Sequence, residues 1–223
     1  MTVARTSAAG EPPGLAERWG SRERARHYAR GRFRSWRRAE RDPAQVARIL
    51  ARAWRGSPGA RVLDVPCGTG RLFEAIARSA KASPIGVDVS AGMLAEARER
   101  EPRARLVRAS AWQLPFADRS FDVVIACRLL HHVGEEEALA RVLGELVRVT
   151  DRLLVASFFD SASWHALRAE RRLRRRDTRD PRSSISRSDM VRAVEAAGAC
   201  VVGFHHGLRF VTRQSFFVAE RPA

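Results

Sequence analysis

The sequence predicts an α/β fold, and three observations predict it. Residues 62–65 form a short apolar run of β type that breaks at once into Gly68-Thr69-Gly70. A helix-periodic stretch follows, with Leu72, Phe73, Ile76 and Ala77 as its apolar positions. About twenty residues past the glycines, residues 84–88 (Pro-Ile-Gly-Val-Asp) make a second short strand that ends in an acid. Such a strand, glycine turn and helix let a ligand lie against bare backbone over a helix N-terminus, where unpaired N–H groups and the dipole converge. The carboxylate of Asp88, at the tip of the second strand, can accept both hydroxyls of a ribose. The segment therefore reads as a nucleoside-cofactor site.

The other elements follow in chain order. Residues 1–20 have no apolar h-region and read as a loose tail rather than a signal peptide. A helix starts at Asp42, read as its cap, with Pro43 at the first helical position and Gln45 completing a capping-box-like pair. Val46, Ile49, Leu50 and Ala53 give it one apolar stripe, and Gly56 ends it. Beyond the βαβ unit, Phe121–Ala126 is a buried strand. Residues 135–148 form a helix with Leu139, Val142, Leu143 and Leu146 on one face, and residues 153–156 a further strand. A helix over residues 188–197 stops at Gly198. Residues 200–204 and 215–219 then read as a closing antiparallel pair. No internal repeat is visible.

Glycine spacing narrows the cofactor. A dinucleotide fingerprint needs G-x-G-x-x-G, but the three positions from residue 66 hold Pro66, Gly68 and Arg71, so a pyrophosphate cradle is disfavoured. Proline holds φ near −65°, so position 66 has no need of positive φ, and one amide donor is absent there. Asp64, Gly68 and Gly70 instead match an acid followed by alternating glycines, with Pro66 in place of the first glycine. Downstream stand Asp88-Val89-Ser90 with Met93-Leu94, then residues 114–124 (Leu-Pro-Phe-Ala-Asp-Arg-Ser-Phe-Asp-Val-Val) and Leu130-His131-His132-Val133. These four segments, in this order, resemble the class I S-adenosylmethionine-dependent methyltransferases. The stretch from Leu114 to Val133 resembles that of their broad type 11 group, which includes quinone and tRNA methylases. The resemblance covers about residues 60–160, and the remainder is compatible in pattern only.

The resemblance implies a doubly wound, seven-stranded, mostly parallel sheet with an N-terminal helical cap and a helical insert after strand five. It divides the chain into a cap at 21–57, a cofactor-binding core at 58–160, a basic lid at 161–187 and a closing helix and strand pair at 188–223. It also implies S-adenosylmethionine as cofactor. Asp64 would hold the loop that contacts the methionine amino group, with Pro66, Cys67, Gly68 and Gly70 around it. Asp88 would take the ribose, and Val89 and Met93 the adenine. Where relatives usually place an acid before the adenine-facing residue, this chain has Ser110-Ala111-Trp112. Adenine recognition would then rest on backbone and Ser110, with Trp112 either a stacking surface or plain core. Asp64 could equally be a buried acid that orders the turn, and Asp88 a helix cap.

Cys127 and Arg128 follow a parallel-type strand, at the end where open α/β sheets place ligands, and read as pocket wall. No base and orienter accompany Cys127, so a thiol nucleophile is not expected. His131 and His132 are the candidate catalytic pair. Adjacent side chains diverge, so at most one faces a substrate, while the competing reading has one capping the next helix and the other packing. A sulfonium cofactor carries its own activation, so a base is needed only where the acceptor must lose a proton.

Composition bounds what remains. The 223 residues are 45% hydrophobic, enough for one core, and no apolar run reaches the ~20 residues of a membrane span. Cys67, Cys127 and Cys200 are isolated and lack metal-ligand spacing, which fits a reducing cytoplasm with no structural disulfide and no metal. The formal charge of +16 comes almost wholly from arginine, Lys81 being the only lysine. Arginines concentrate in residues 22–41, among Tyr28, Phe33 and Trp36, and in residues 168–187. Such blocks serve either a solvated face and lid or the grip on a polyanion. Arg30 and Arg32 are candidates for the cofactor's carboxylate. The expected function is methyl transfer to an O, N or C centre of a small-molecule acceptor. The rivals are an RNA methyltransferase and an inactive cofactor-binding regulatory subunit.

Overall fold

The computed structural model describes residues 23, 25–27, 41–56, 58–133, 135–164, 184–206 and 214–222. Helix α1 (Arg41–Ala53) precedes β1 (Val62–Asp64), α2 (Phe73–Ala80), β2 (Ile85–Asp88), α3 (Ala91–Arg100) and β3 (Arg105–Arg108). The second half runs β4 (Phe121–Ala126), a 3₁₀ turn (Leu130–His132), α4 (Glu136–Val149), β5 (Thr150–Phe159), α5 (Arg187–Ala196), β6 (Cys200–His206) and β7 (Gln214–Glu220). Both arginine-rich blocks, with Arg30 and Arg32, lie largely or wholly outside the described residues.

The strands form one seven-stranded sheet in the order β3-β2-β1-β4-β5-β7-β6. Strands β1 to β5 pair in parallel, while β7 runs antiparallel to both β5 and β6. This is the doubly wound, mostly parallel sheet that the resemblance implies. The chain winds outward from β1 through β2 to β3, then resumes at β4 on the other side of β1. That reversal leaves a crevice beyond the C-terminal ends of β1 and β4, where such sheets take ligands.

Alternation along β4 shows how the layers are built. Val123 and Ile125 face Ile49 and Leu50 of α1 and Ile76 of α2, while Val124 and Ala126 face Leu143 and Leu146 of α4. A strand buried on both faces must be apolar at both parities, and this one is. A smaller cluster of Phe73, Ala97 and Ala104 seats α3 near the β2–β3 edge.

Four sequence expectations are corrected here. Asp42 lies inside the first turn of α1 and is buried, its carboxylate engaged by side chains of other elements rather than used as a cap. Ser90, not Asp88, caps α3, its hydroxyl accepting the Met93 N–H at 3.1 Å. Glu135 occupies the N-cap of α4, because the 3₁₀ turn holds His131 and His132 too far upstream to cap it. Finally β5 spans ten residues rather than four, because β7 pairs with it from Leu153 to Phe159 and carries it past its apolar centre.

Candidate functional site

The glycine turn is folded by its own amides and by the acid at the tip of β2. The Cys67 N–H donates to the Val87 carbonyl at 2.8 Å, and the Gly70 N–H to the Cys67 carbonyl at 3.0 Å. Asp88 then clamps the loop, its Oδ2 accepting the Gly68 N–H at 3.0 Å and its Oδ1 the Ser90 N–H at 2.8 Å. Gly68 has φ +54°, and a Cβ there would meet nothing within 4 Å. Its glycine is required by the backbone, and the space above it stays open. Gly70, at φ +70°, is required twice over, since a Cβ would also sit 2.9 Å from the Phe73 ring. The Val65-Pro66 peptide is cis.

Above this loop, at the strand reversal, opens a cleft of about 950 Å³ including its mouth. Pro66, Cys67, Gly68 and Asp88 form one part of its wall. Val89, Met93, Ser110, Ala111 and Trp112 add a mostly apolar stretch, and Cys127, Arg128 and His132 also line it. Trp112 is 2% exposed and belongs to the main core cluster, and it also lines the cleft. Ser110 is also buried, and its Oγ accepts the Trp112 N–H at 3.3 Å.

Three expected site residues do not line the cleft. Gly70 packs under the turn, and His131 is buried, its ring stacked on Phe159 at 4.1 Å between centroids. Asp64 lies behind the loop, fully buried, and its two carboxylate oxygens make no hydrogen bond among the described residues. Burial pushes its pKa well above the usual carboxylate range; Arg71 opposes that rise and Asp88 adds to it. The sequence reading did not assign Val65, Thr69, Arg71, Leu72, Ala109 and Leu129 to the site, yet all line it. Adjacency to the glycine turn was the available signal for Thr69, Arg71 and Leu72.

Titratable groups of the cleft are shifted by their burial. Burial lifts the pKa of Asp88 from 3.8 to about 6, while the Ser90 and Gly68 amides pull it down. At neutral pH it is a carboxylate. Burial likewise pushes the Cys127 thiol up to about 12, so it stays protonated and is a poor nucleophile. Arg71 and Arg128 line the same cleft. Arg128 follows β4 with φ +64° and donates its backbone N–H to Ser157 Oγ at 2.8 Å. The described residues contain no cluster of three or more His, Cys, Asp or Glu able to hold a metal. None of their helices is long and apolar enough to cross a membrane.

Comparison with known proteins places this geometry. Residues 62–152 match the family model described as "Methyltransferase domain". A demethylmenaquinone methyltransferase of Mycobacterium marinum is 32% identical over 171 residues, covering 73% of this chain and 68% of that protein. One of the same name from Renibacterium salmoninarum is 37% identical over 131 residues, 57% of this chain and 49% of that protein. The chain thus spans about half the length of several curated relatives it matches. Magnesium protoporphyrin IX methyltransferase from Synechocystis, solved with bound SAH, superposes with a TM-score of 0.70 at 20% identity. That superposition covers 90% of this chain and 99% of that one, and it extends the shared fold beyond the cofactor core.

Proposed function

This chain belongs to the class I S-adenosylmethionine-dependent methyltransferases, and we propose that it transfers the methyl group of that cofactor to a small-molecule acceptor. The observation that carries the reading is the clamp between Asp88 and Gly68, which joins the acid of β2 to the open glycine turn on one cleft wall. The residues present fit the cofactor. Asp88 suits a ribose diol, and Val89, Met93, Ala111 and Trp112 suit a purine face. The buried carboxylate of Asp64, without a hydrogen-bond partner among the described residues, suits an ammonium group nearby.

When bound, S-adenosylmethionine supplies a methyl group already activated on a sulfonium. What the chain adds is alignment and a dry wall. Leu129, Ala109 and Cys127 line the cleft with little polarity, and the protonated Cys127 thiol does not compete as a nucleophile. His132 lines the cleft and His131 does not, which supports His132 rather than His131 as the group that takes a proton from an acceptor hydroxyl or amine. Relatives named for demethylmenaquinone, and a structural neighbour titled for magnesium protoporphyrin IX, support an acceptor that is a small molecule.

Methyl-labelled cofactor incubated with size-separated fractions of cell extract tests this. Label should enter a small-molecule fraction, with turnover in His132→Ala lower by ~10²-fold when the acceptor must be deprotonated, and cofactor affinity preserved. Label confined to RNA, or no transfer to any fraction, would contradict the reading.

A further inference from the structure

His131 and His132 are neighbours in the chain, yet the 3₁₀ turn gives them different surroundings. His132 is half-buried and lines the cleft, while His131 is buried and does not line it. Their imidazole rings nevertheless touch, with centroids 4.1 Å apart and planes tilted by 40°. A further ring, the phenyl of Phe159, lies 4.1 Å from that of His131 and nearly parallel to it, at 13°. His131 is therefore the middle member of a chain of ring contacts that runs from β5 to the cleft wall. Its far end is well anchored. Phe159 is buried, pairs with Gln214 of β7, and accepts the Ile185 N–H on its carbonyl at 2.8 Å.

The turn itself holds only the backbone of His132. Its N–H donates to the Leu129 carbonyl at 2.9 Å, and the Val133 N–H to the Leu130 carbonyl at 3.1 Å. Neither bond chooses a side-chain rotamer, and an imidazole has several staggered choices about χ1. A flat ring packed against it favours the rotamer that keeps the contact, because aromatic pairs attract in specific geometries. Proton transfer needs that selection, since a base works only within hydrogen-bond reach of the proton it takes.

We propose that His131 is a positioning residue for His132, transmitting the rigid end of β5, through Phe159, to the imidazole on the cleft wall. The proposal rests on the reading of His132 given above and names what holds that group in place. It differs from a packing role, in which any apolar side chain of similar volume would serve at position 131. Positioning requires a flat ring there.

Two variants of the full chain separate these roles: His131→Leu removes the ring, and His131→Phe keeps a flat ring without its nitrogens. Three-bond couplings measured by NMR report the χ1 rotamer of His132 directly and need no acceptor. One rotamer should dominate in the wild type and in His131→Phe, and several should average in His131→Leu. Phe159→Leu removes the backing ring instead and serves if His131→Leu does not fold. Turnover is then followed with methyl-labelled S-adenosylmethionine and the small-molecule fraction of cell extract. His131→Leu should lose roughly tenfold in kcat, part of what His132→Ala loses, with KM and affinity for S-adenosylhomocysteine nearly unchanged. His131→Phe should restore most of that loss. A single His132 rotamer retained in His131→Leu, averaging already present in the wild type, or equal kcat losses in both variants would overturn the proposal and leave the cofactor reading standing. Full turnover in His132→Ala would overturn the role of His132, and with it the task assigned to His131.

Discussion

Asp88 gives the cleft its pH dependence. Its pKa is lifted to about 6 in the folded chain, chiefly by burial. A ribose diol brings two O–H donors, which only the ionised carboxylate can fully accept. Affinity for S-adenosylhomocysteine should therefore be level above pH 6 and fall below it, approaching about tenfold per pH unit. The raised value also means that this group's contribution to stability grows as pH falls from 6 toward 4, so unfolding through Asp88 does not mimic the effect. Titration calorimetry across this range checks it, and Asp88→Asn should flatten the limb. A wild-type chain with flat affinity down to pH 5 would show that the diol does not use Asp88. At this scale Gly68 and Asp88 were legible as cleft residues, because each performs a local task. The convergence of Arg71 and Arg128 on Asp42 was not, since they lie 29 and 86 positions away and no local pattern links them.

Among the elements, the loop before β4 depends on the end of α4. Arg148 donates to the carbonyls of Phe116 and Leu114 at 2.8 and 3.1 Å, to Asp118 at 2.8 Å and to Glu145 at 2.7 Å. Glu145 in turn accepts the Leu114 N–H at 2.7 Å. The Leu-Pro-Phe stretch is thus held by two side chains one helical turn apart. Arg148→Met should destabilise the chain by about 2 kcal/mol, through carbonyls and a carboxylate left without their donor, yet change nucleoside affinity little. Chemical denaturation with parallel ligand titration checks this; unchanged stability would mean that the loop is held by its apolar residues alone. The strands β1, β2 and β4 could be read from sequence because they are largely buried and each carries a short apolar β-type stretch, Val123–Ala126 in β4 being the longest. The ends of β5 could not, since Thr150-Asp151-Arg152 is polar and only pairing with neighbouring strands makes it extended. The partnership of Arg148 with the loop was likewise hidden, as an arginine near a helix C-terminus has a sufficient local use there.

For the molecule as a whole, the net charge of +16 is the least informative of the large signals. Several arginines are spent on internal ties: Arg61 on Asp122, Arg187 on Asp160, and Arg221 on the carbonyls that close α4. Placement of charge at the cleft says more than its total. Asp88, Arg71 and Arg128 all line one cleft, on a sheet whose strand order opens a crevice at that point. Sequence motifs reached about as far as residue 160, and the segments beyond it carry no pattern tied to a particular chemistry. The central claim, that this cleft is a nucleoside-sulfonium site and not a dinucleotide site, is tested most directly by titration calorimetry. S-adenosylhomocysteine and NAD would be titrated into the wild-type chain and Asp88→Ala. The account predicts saturable binding of S-adenosylhomocysteine, none of NAD, and a loss of roughly 2 kcal/mol in the variant, as the hydrogen bonds to a charged acceptor vanish. Binding of NAD without S-adenosylhomocysteine, or an Asp88→Ala variant that binds as tightly as the wild type, would contradict it.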